Sequence, residues 1–178
     1  MDRSSTEMYR YAGVPIENGI LWFQPTCCMK ILLATISPRR ALASSPAMTL
    51  LEGYIERSGR YSPATHRVFV NEAALLSFVE DTASRTRPVL LLTDSRGKQL
   101  SSGELAAEVG RLRDAGAQTL ILAVGPADGW SAAALKRADL TLAFGRITLP
   151  HELAAVVAAE QIYRALTILA GHPYHCGH

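Results

Sequence analysis

The chain has 178 residues, of which 48% are hydrophobic and 19% charged, and chains of roughly 100–200 residues usually build one globular core. The formal net charge of +2 excludes the broadly cationic surface that drives unspecific binding to nucleic acid. Three cysteines, Cys27, Cys28 and Cys176, are poorly spaced for a disulfide framework, and no apolar run spans a bilayer, so we expect a cytoplasmic protein with reduced thiols.

Residues 1–28 show neither the strand period nor the helix period, whereas a clear strand pattern begins at Met29. We interpret residues 1–28 as a non-native or disordered N-terminal extension, with Met29 as the biological start. Residues 29–178 then form a single domain. Intact-mass analysis of the native protein that finds residue 1 would refute the hypothesis on the start.

Strand and helix signals alternate from Met29 onward. Strands are predicted at residues 29–36, 68–70, 88–93, 119–124 and 140–144. The helices between them begin at the N-cap residues Ser45, Asn71, Ser101 and Ser131, and a long last helix begins at Pro150 and ends before Gly171. Five strands separated by helices predict an α/β domain with a mainly parallel sheet, because parallel neighbours need a crossover connection.

Ligands of such sheets collect at loops beyond the carboxyl ends of the strands, which are here residues 94–102, 125–131 and 145–150. The first loop by itself is typical of an ordinary strand-to-helix turn. The second contains Gly125 and Gly129, whose backbone can approach a ligand closely, but its spacing is not that of a dinucleotide fingerprint. The third leaves the sheet through Gly145 and runs to Pro150, so its backbone groups lack ladder partners and could bind an adenine ring.

The carboxyl-terminal tail concentrates metal-binding residue types, namely His172, His175, Cys176 and His178. Their spacing fits no standard zinc site well. We therefore predict no metal site, with a metal-binding tail and a disordered chain end as the two alternative interpretations.

Several motifs together resemble those of a known family. They are TLPH at residues 148–151, EQIYRA at 160–165, HPYH at 172–175 and DSRGKQLSS at 94–102. In order, spacing and terminal position they resemble the ribosomal RNA large subunit methyltransferase H family, which methylates N3 of a pseudouridine in bacterial 23S ribosomal RNA. The similarity covers residues 29–175 in register.

The resemblance implies a SPOUT fold, in which a mainly parallel sheet flanked by helices contains a trefoil knot that binds S-adenosylmethionine. It also implies a homodimer, in which the tail of one subunit completes the site of the other, and ribosomal RNA within the assembled ribosome as the partner. By motif, the cofactor-binding positions would be Thr93, Gly125, Phe144, Gly145, Arg146, Ile147, Thr148 and Leu149. The catalytic positions would be His175, Arg164 and Tyr174.

In the implied reaction the three catalytic residues would have different roles. Pseudouridine N3 carries a proton, so His175 would act as the general base, and Arg164 would stabilise the charge that spreads onto the flanking carbonyl oxygens. Tyr174 would stack on the base or form a hydrogen bond to it.

The chain departs from the family pattern at two places. Val124 precedes Gly125 where the family usually has a second glycine, and its side chain could narrow the cofactor pocket. A lysine- and glycine-rich loop is missing between Val70 and Asn71, which removes positive charge. Two alternatives therefore stay open: a non-catalytic ribosome-binding homologue, and an unknotted α/β enzyme that uses a nucleotide cofactor.

Overall fold

The computed structural model describes residues 29–37, 45–83 and 86–175, which form a parallel sheet with helices on both of its faces. The predicted N-terminal extension, residues 1–28, lies outside the described residues. The strands are β1 (Lys30–Ile36), β2 (Ala64–Phe69), β3 (Val89–Gln99), β4 (Thr119–Val124) and β5 (Leu140–Ala143). The helices are α1 (Pro46–Ser58), α2 (Glu72–Thr82), α3 (Ser102–Asp114), α4 (Ala132–Arg137) and α5 (His151–Leu169), and a short 3-10 turn, Pro173–His175, follows them.

The helix starts follow local hydrogen bonding, and the predicted N-caps are confirmed. The side chains of Ser45, Asn71 and Ser131 each accept a hydrogen bond from the backbone N–H three residues further on. Ser101 and Glu104 form a reciprocal capping box at the start of α3. These contacts lie within one turn of the chain, so the sequence alone is enough to place them.

The sheet order is β2-β1-β4-β3-β5, and every neighbouring pair is parallel. Side chains alternate between the two faces: Ile31 and Leu33 pack on the side of α1, α3 and α5, whereas Leu32 and Ala34 pack on the side of α2 and α4. Both faces are therefore buried, which explains the continuous apolar runs of the central strands.

Two strands differ from the expected bounds by more than one residue. The strand expected at residues 68–70 begins four residues earlier, at Ala64, and excludes Val70. It lies at the edge of the sheet and buries only Phe69, so its hydrophobic pattern is weak. The strand expected to end at Thr93 instead continues to Gln99.

The extension of β3 depends on its pairing with β5. Leu142 pairs with Thr93 and again with Lys98, so residues 94–97 leave the ladder between the two pairs. A Cβ atom on Gly97 would lie 2.7 Å from backbone atoms of Thr141 and Leu142. Glycine is therefore required here, because the β5 backbone occupies the space of a side chain.

Within the described ranges, no helix has the length and apolar character needed to cross a bilayer. The trefoil knot expected from the family resemblance stays a prediction.

Gly97→Ala should destabilise the domain by about 3 kcal/mol, because the added methyl group overlaps β5 backbone that cannot move without breaking the β3 ladder. Urea unfolding followed by circular dichroism measures the change. Gly103→Ala in α3 is the control, since nothing lies within 4 Å of its added Cβ, and it should leave stability unchanged or slightly higher. A loss below about 1 kcal/mol for Gly97→Ala would contradict the assigned constraint.

Candidate active site

A cavity of about 360 Å³ lies beyond the carboxyl ends of β3, β4 and β5, which are neighbours in the sheet. Its volume falls in the range of roughly 300–1,000 Å³ that is usual for small-molecule sites. All three loops selected from the sequence contribute to it. Among the lining residues are Thr93, Asp94, Ser95, Val124, Gly125, Trp130, Phe144, Gly145, Ile147, Thr148, Leu149 and His151.

Seven of the eight positions expected to bind the cofactor border this one cavity. They are Thr93, Gly125, Phe144, Gly145, Ile147, Thr148 and Leu149. Arg146 does not border it and is exposed to solvent. The structure thus brings together three segments that are distant in sequence, while their role toward a cofactor stays a prediction.

Trp130 connects the first and second loops across the cavity. Its indole N–H donates a hydrogen bond of 2.8 Å to the carbonyl oxygen of Thr93, and only 6% of its surface is exposed. Its ring packs on Gly125, where an added Cβ would lie 2.7 Å from ring atoms. Gly125 is therefore needed to make room for the indole. Trp130 was not among the predicted site residues, and its position between Gly129 and the helix cap Ser131 is the one sequence feature that could have indicated it.

The end of the second loop is also anchored. The backbone N–H of Ser131 donates a hydrogen bond of 3.0 Å to the carboxylate of Glu72, and the Ser131 hydroxyl donates to the same carboxylate. Glu72 is the first residue of α2. The loop is consequently attached to β3 through Trp130 and to α2 through Ser131.

His151 connects the third segment to the second loop. Its Nδ1 atom lies 3.0 Å from the carbonyl oxygen of Gly125. A carbonyl oxygen can only accept a hydrogen bond, so Nδ1 must carry the proton in this contact. The first residue of α5 thereby holds the helix start against the Gly125 turn. His151 borders the cavity but was not among the site residues predicted from the sequence.

The cavity contains an ionised carboxylate at its β3 side. Asp94 accepts hydrogen bonds from the backbone N–H of Arg96 at 2.8 Å and from its Nε at 3.0 Å. The side-chain hydrogen bond from Arg96 lowers the pKa of Asp94 and outweighs the burial of the carboxyl group, which acts in the opposite direction. The cavity therefore combines the Asp94–Arg96 ion pair at its edge with apolar walls.

Val124, the residue expected to narrow the pocket, borders the cavity and is 3% exposed. Its side chain belongs to the core on the α5 side of the sheet. The cavity of about 360 Å³ is measured with this valine in place, so Val124 forms part of its wall without filling it.

The expected catalytic residues lie at the other end of α5. Arg164 follows the cavity residue Ala154 by ten positions, which corresponds to about 15 Å along a helix. Neither Arg164 nor Tyr174 borders the cavity of the same chain. The side chain of His175 lies outside the described part of the chain.

Arg164 and Tyr174 nevertheless contact each other and share a carboxylate. Glu160 accepts hydrogen bonds from Arg164 Nε at 2.8 Å and from the Tyr174 hydroxyl at 3.2 Å. The Arg164 guanidinium carbon lies 5.0 Å from the centre of the Tyr174 ring. Burial raises the pKa of Tyr174 to about 12, with a further contribution from its hydrogen bond to Tyr54, so the hydroxyl stays a neutral donor at physiological pH.

No group of three or more His, Cys, Asp or Glu side chains in the described ranges could hold a metal ion. Cys176 and His178, which belong to the metal-binding alternative for the tail, lie outside those ranges.

Comparison with known proteins identifies the family to which this chain belongs. A family described as "Predicted SPOUT methyltransferase" matches residues 29–175. A "Ribosomal RNA large subunit methyltransferase H" of Koribacter versatilis (strain Ellin345) is 51% identical over 134 residues, covering 75% of this chain and 91% of the relative. A protein of the same name from Mesorhizobium japonicum is 40% identical over 161 residues, covering 83% of this chain and 99% of the relative.

A solved structure supports the fold. "A probable methylase family protein from Haemophilus influenzae Rd KW20" aligns with a TM-score of 0.50 at 11% identity, covering 83% of this chain and 69% of that one. The assignment to a particular family rests on the sequence matches, since they extend over most of both chains. This chain therefore belongs to the SPOUT methyltransferases and, within them, to the ribosomal RNA large subunit methyltransferase H family.

Proposed function

We propose that this enzyme transfers a methyl group from S-adenosylmethionine to N3 of a pseudouridine in 23S ribosomal RNA of the assembled ribosome, in the cytoplasm. Family membership supports methylation of ribosomal RNA. The site is assigned to one cavity because Thr93, Gly125 and the segment after β5 all border it.

The residues around the cavity fit S-adenosylmethionine. Phe144, Ile147 and Leu149 provide apolar contact for a purine ring. Residues 144–149 lie outside any helix or strand, so their backbone groups can hydrogen-bond the ring edge. Asp94 also borders the cavity, and its carboxylate is paired with Arg96. When bound, the cofactor supplies an activated methyl group on its sulfonium.

The substrate side requires a base, a cation and a hydrogen-bond donor. His175 is assigned as the base that removes the N3 proton, because an imidazole titrates near neutral pH. Arg164 is assigned to the charge that develops on the flanking carbonyl oxygens, and Glu160 holds its guanidinium in place. Tyr174 is assigned as the donor to the target base, for which its hydroxyl must exchange the hydrogen bond to Glu160 for one to the base.

The separation of these residues from the cavity supports a homodimer. Arg164 lies about 15 Å along α5 from the cavity of its own chain, so a second protomer would have to deliver its tail to that cavity. Ile147 and Leu153, at the cavity end of α5, are 72% and 50% exposed. Such apolar surface is suited to contact with a second copy.

The enzyme must recognise its RNA with little overall charge. A net charge of +2 gives little unspecific attraction, so the shape of the ribosome and a few fixed contacts must supply affinity. The target base must also be unstacked, because a base within a helix cannot reach the cofactor.

S-adenosylmethionine should bind the wild-type protein with measurable heat in titration calorimetry. Gly125→Ala should weaken this binding at least tenfold, roughly 1.4 kcal/mol, because the added methyl group displaces the Trp130 indole from the cavity wall. Gly53→Ala in α1, where nothing lies within 4 Å of the new Cβ, is the control and should bind normally. Absence of heat with the wild type would favour the non-catalytic homologue instead.

Arg164→Ala and His175→Ala should each lower methyl transfer by a factor of at least about 100, because each removes a group that acts on the charge of the transition state. The assay uses ribosomes from a strain that lacks the gene, and mass spectrometry of their RNA detects the methylated pseudouridine. Arg113→Ala is the control for loss of one positive charge, because Arg113 lies on α3 with its side chain 42% exposed. Near-normal turnover in both variants, with thermal midpoint and cofactor affinity preserved, would discard the catalytic assignment.

A heterodimer of one Gly125→Ala protomer and one Arg164→Ala protomer should recover roughly half of the wild-type activity, because a twofold dimer with shared sites keeps one intact site of two. The two protomers carry different tags, and the heterodimer is purified after co-expression. Each homodimeric variant is the reference and should be nearly inactive when S-adenosylmethionine is scarce. A heterodimer as inactive as the two references would rule out a site shared between protomers.

A further inference from the structure

Arg57, in the last turn of α1, has a guanidinium that three contacts hold in position. Its Nε donates a hydrogen bond of 3.0 Å to the carbonyl oxygen of Gly53. Its guanidinium carbon lies 4.2 Å from the centre of the Tyr54 ring and 5.0 Å from that of Tyr163. The side chain is half-buried, so much of the entropy of ordering it is already lost before any ligand binds.

The charge of Arg57 is not neutralised within the part of the chain that the structure describes. None of the ion pairs found there includes Arg57, whereas Arg96, Arg111 and Arg113 each pair with a nearby carboxylate. Gly53 provides the single hydrogen-bond acceptor for Arg57 among those residues. The two terminal nitrogens of the guanidinium therefore keep their donors available for an anion.

The position of Arg57 connects it to the proposed substrate side. The Tyr54 and Tyr163 rings lie 6.0 Å apart, and the Tyr163 ring lies 4.8 Å from that of Tyr174. Tyr174 in turn contacts Arg164. Arg57 thus belongs to the same aromatic cluster as two residues assigned to the substrate, although it comes from a different helix.

We propose that Arg57 binds a phosphate group of the ribosomal RNA next to the target pseudouridine and thereby positions the substrate. This inference rests on the proposed function. The guanidinium already lies against two aromatic rings. A ligand would therefore bind to the N–H donors at its edge. Planar, paired donors match the oxygens of a phosphate group, and a nearly neutral protein depends on such fixed cations for its register on RNA.

A purely structural role for Arg57 makes a different prediction. If the residue only packs on the tyrosines and caps α1, its replacement lowers stability but leaves the salt dependence of RNA binding unchanged. A phosphate contact instead contributes to that dependence, because it releases condensed counterions from the RNA.

The test compares Arg57→Met, Arg57→Lys and the control Arg113→Met in the full-length protein. Methionine keeps an apolar stem against the tyrosines and removes the charge. Equilibrium binding to ribosomes is measured between about 50 and 200 mM salt, together with methyl transfer.

We expect Arg57→Met to weaken binding at least tenfold and to reduce the slope of log K against log salt by about one. It should also raise KM more than it lowers kcat. Arg57→Lys should keep the slope, and Arg113→Met should match the wild type.

An unchanged slope in Arg57→Met would overturn the inference, even if stability or affinity fell, and so would an equal effect of Arg113→Met. Thermal midpoints and calorimetry with S-adenosylmethionine establish that the variants are folded. If Arg57→Met does not fold, Arg57→Gln replaces it under the same criterion. A wild-type protein that methylates no ribosomal RNA would refute the proposed function itself, whereas normal methylation with an unchanged slope would refute only the role of Arg57.

Discussion

The close approach of β5 to β3 at Gly97 is the constraint on which the site depends. With no side chain at this position, the β5 backbone occupies the space where a Cβ would lie. Leu142 can then pair on both sides of residues 94–97, which leave the ladder without ending the strand. This contact positions both one wall of the cavity and the start of the segment after β5. The shape of the cavity on this side therefore depends on the β3–β5 pairing.

Two hydrogen bonds hold the remaining walls. Trp130 donates to the carbonyl of Thr93, and His151 donates to the carbonyl of Gly125, so each joins segments that are distant in sequence. Walls held in this way move little, and this reduces the ordering entropy that ligand binding must overcome. Two of the proposed catalytic side chains, Arg164 and Tyr174, are arranged separately around Glu160 in the middle of α5. The proposal of a shared site in a homodimer follows from this division.

Two arginines of this protein lie in one cluster of tyrosine rings. The net charge is only +2, yet Arg57 and Arg164 lie in one aromatic cluster, each against a tyrosine ring. Glu160 and the rings restrict the motion of these side chains, so a ligand that contacts them costs little further ordering entropy. We assign the first of these arginines to a phosphate group of the RNA and the second to the reacting base.

The sequence by itself determined the features that depend on neighbours along the chain. Helix starts at Ser45, Asn71, Ser101 and Ser131 followed from capping within one turn, the parallel sheet followed from alternating strand and helix signals, and family motifs selected seven of the residues around the cavity. Only the tertiary structure decided the early start of β2, the extension of β3 past Thr93, the contacts of Trp130 and His151, and the distance of Arg164 from the cavity. Each of these depends on backbone or side chains that approach from remote parts of the chain, and spacing in sequence carries no information about such approaches.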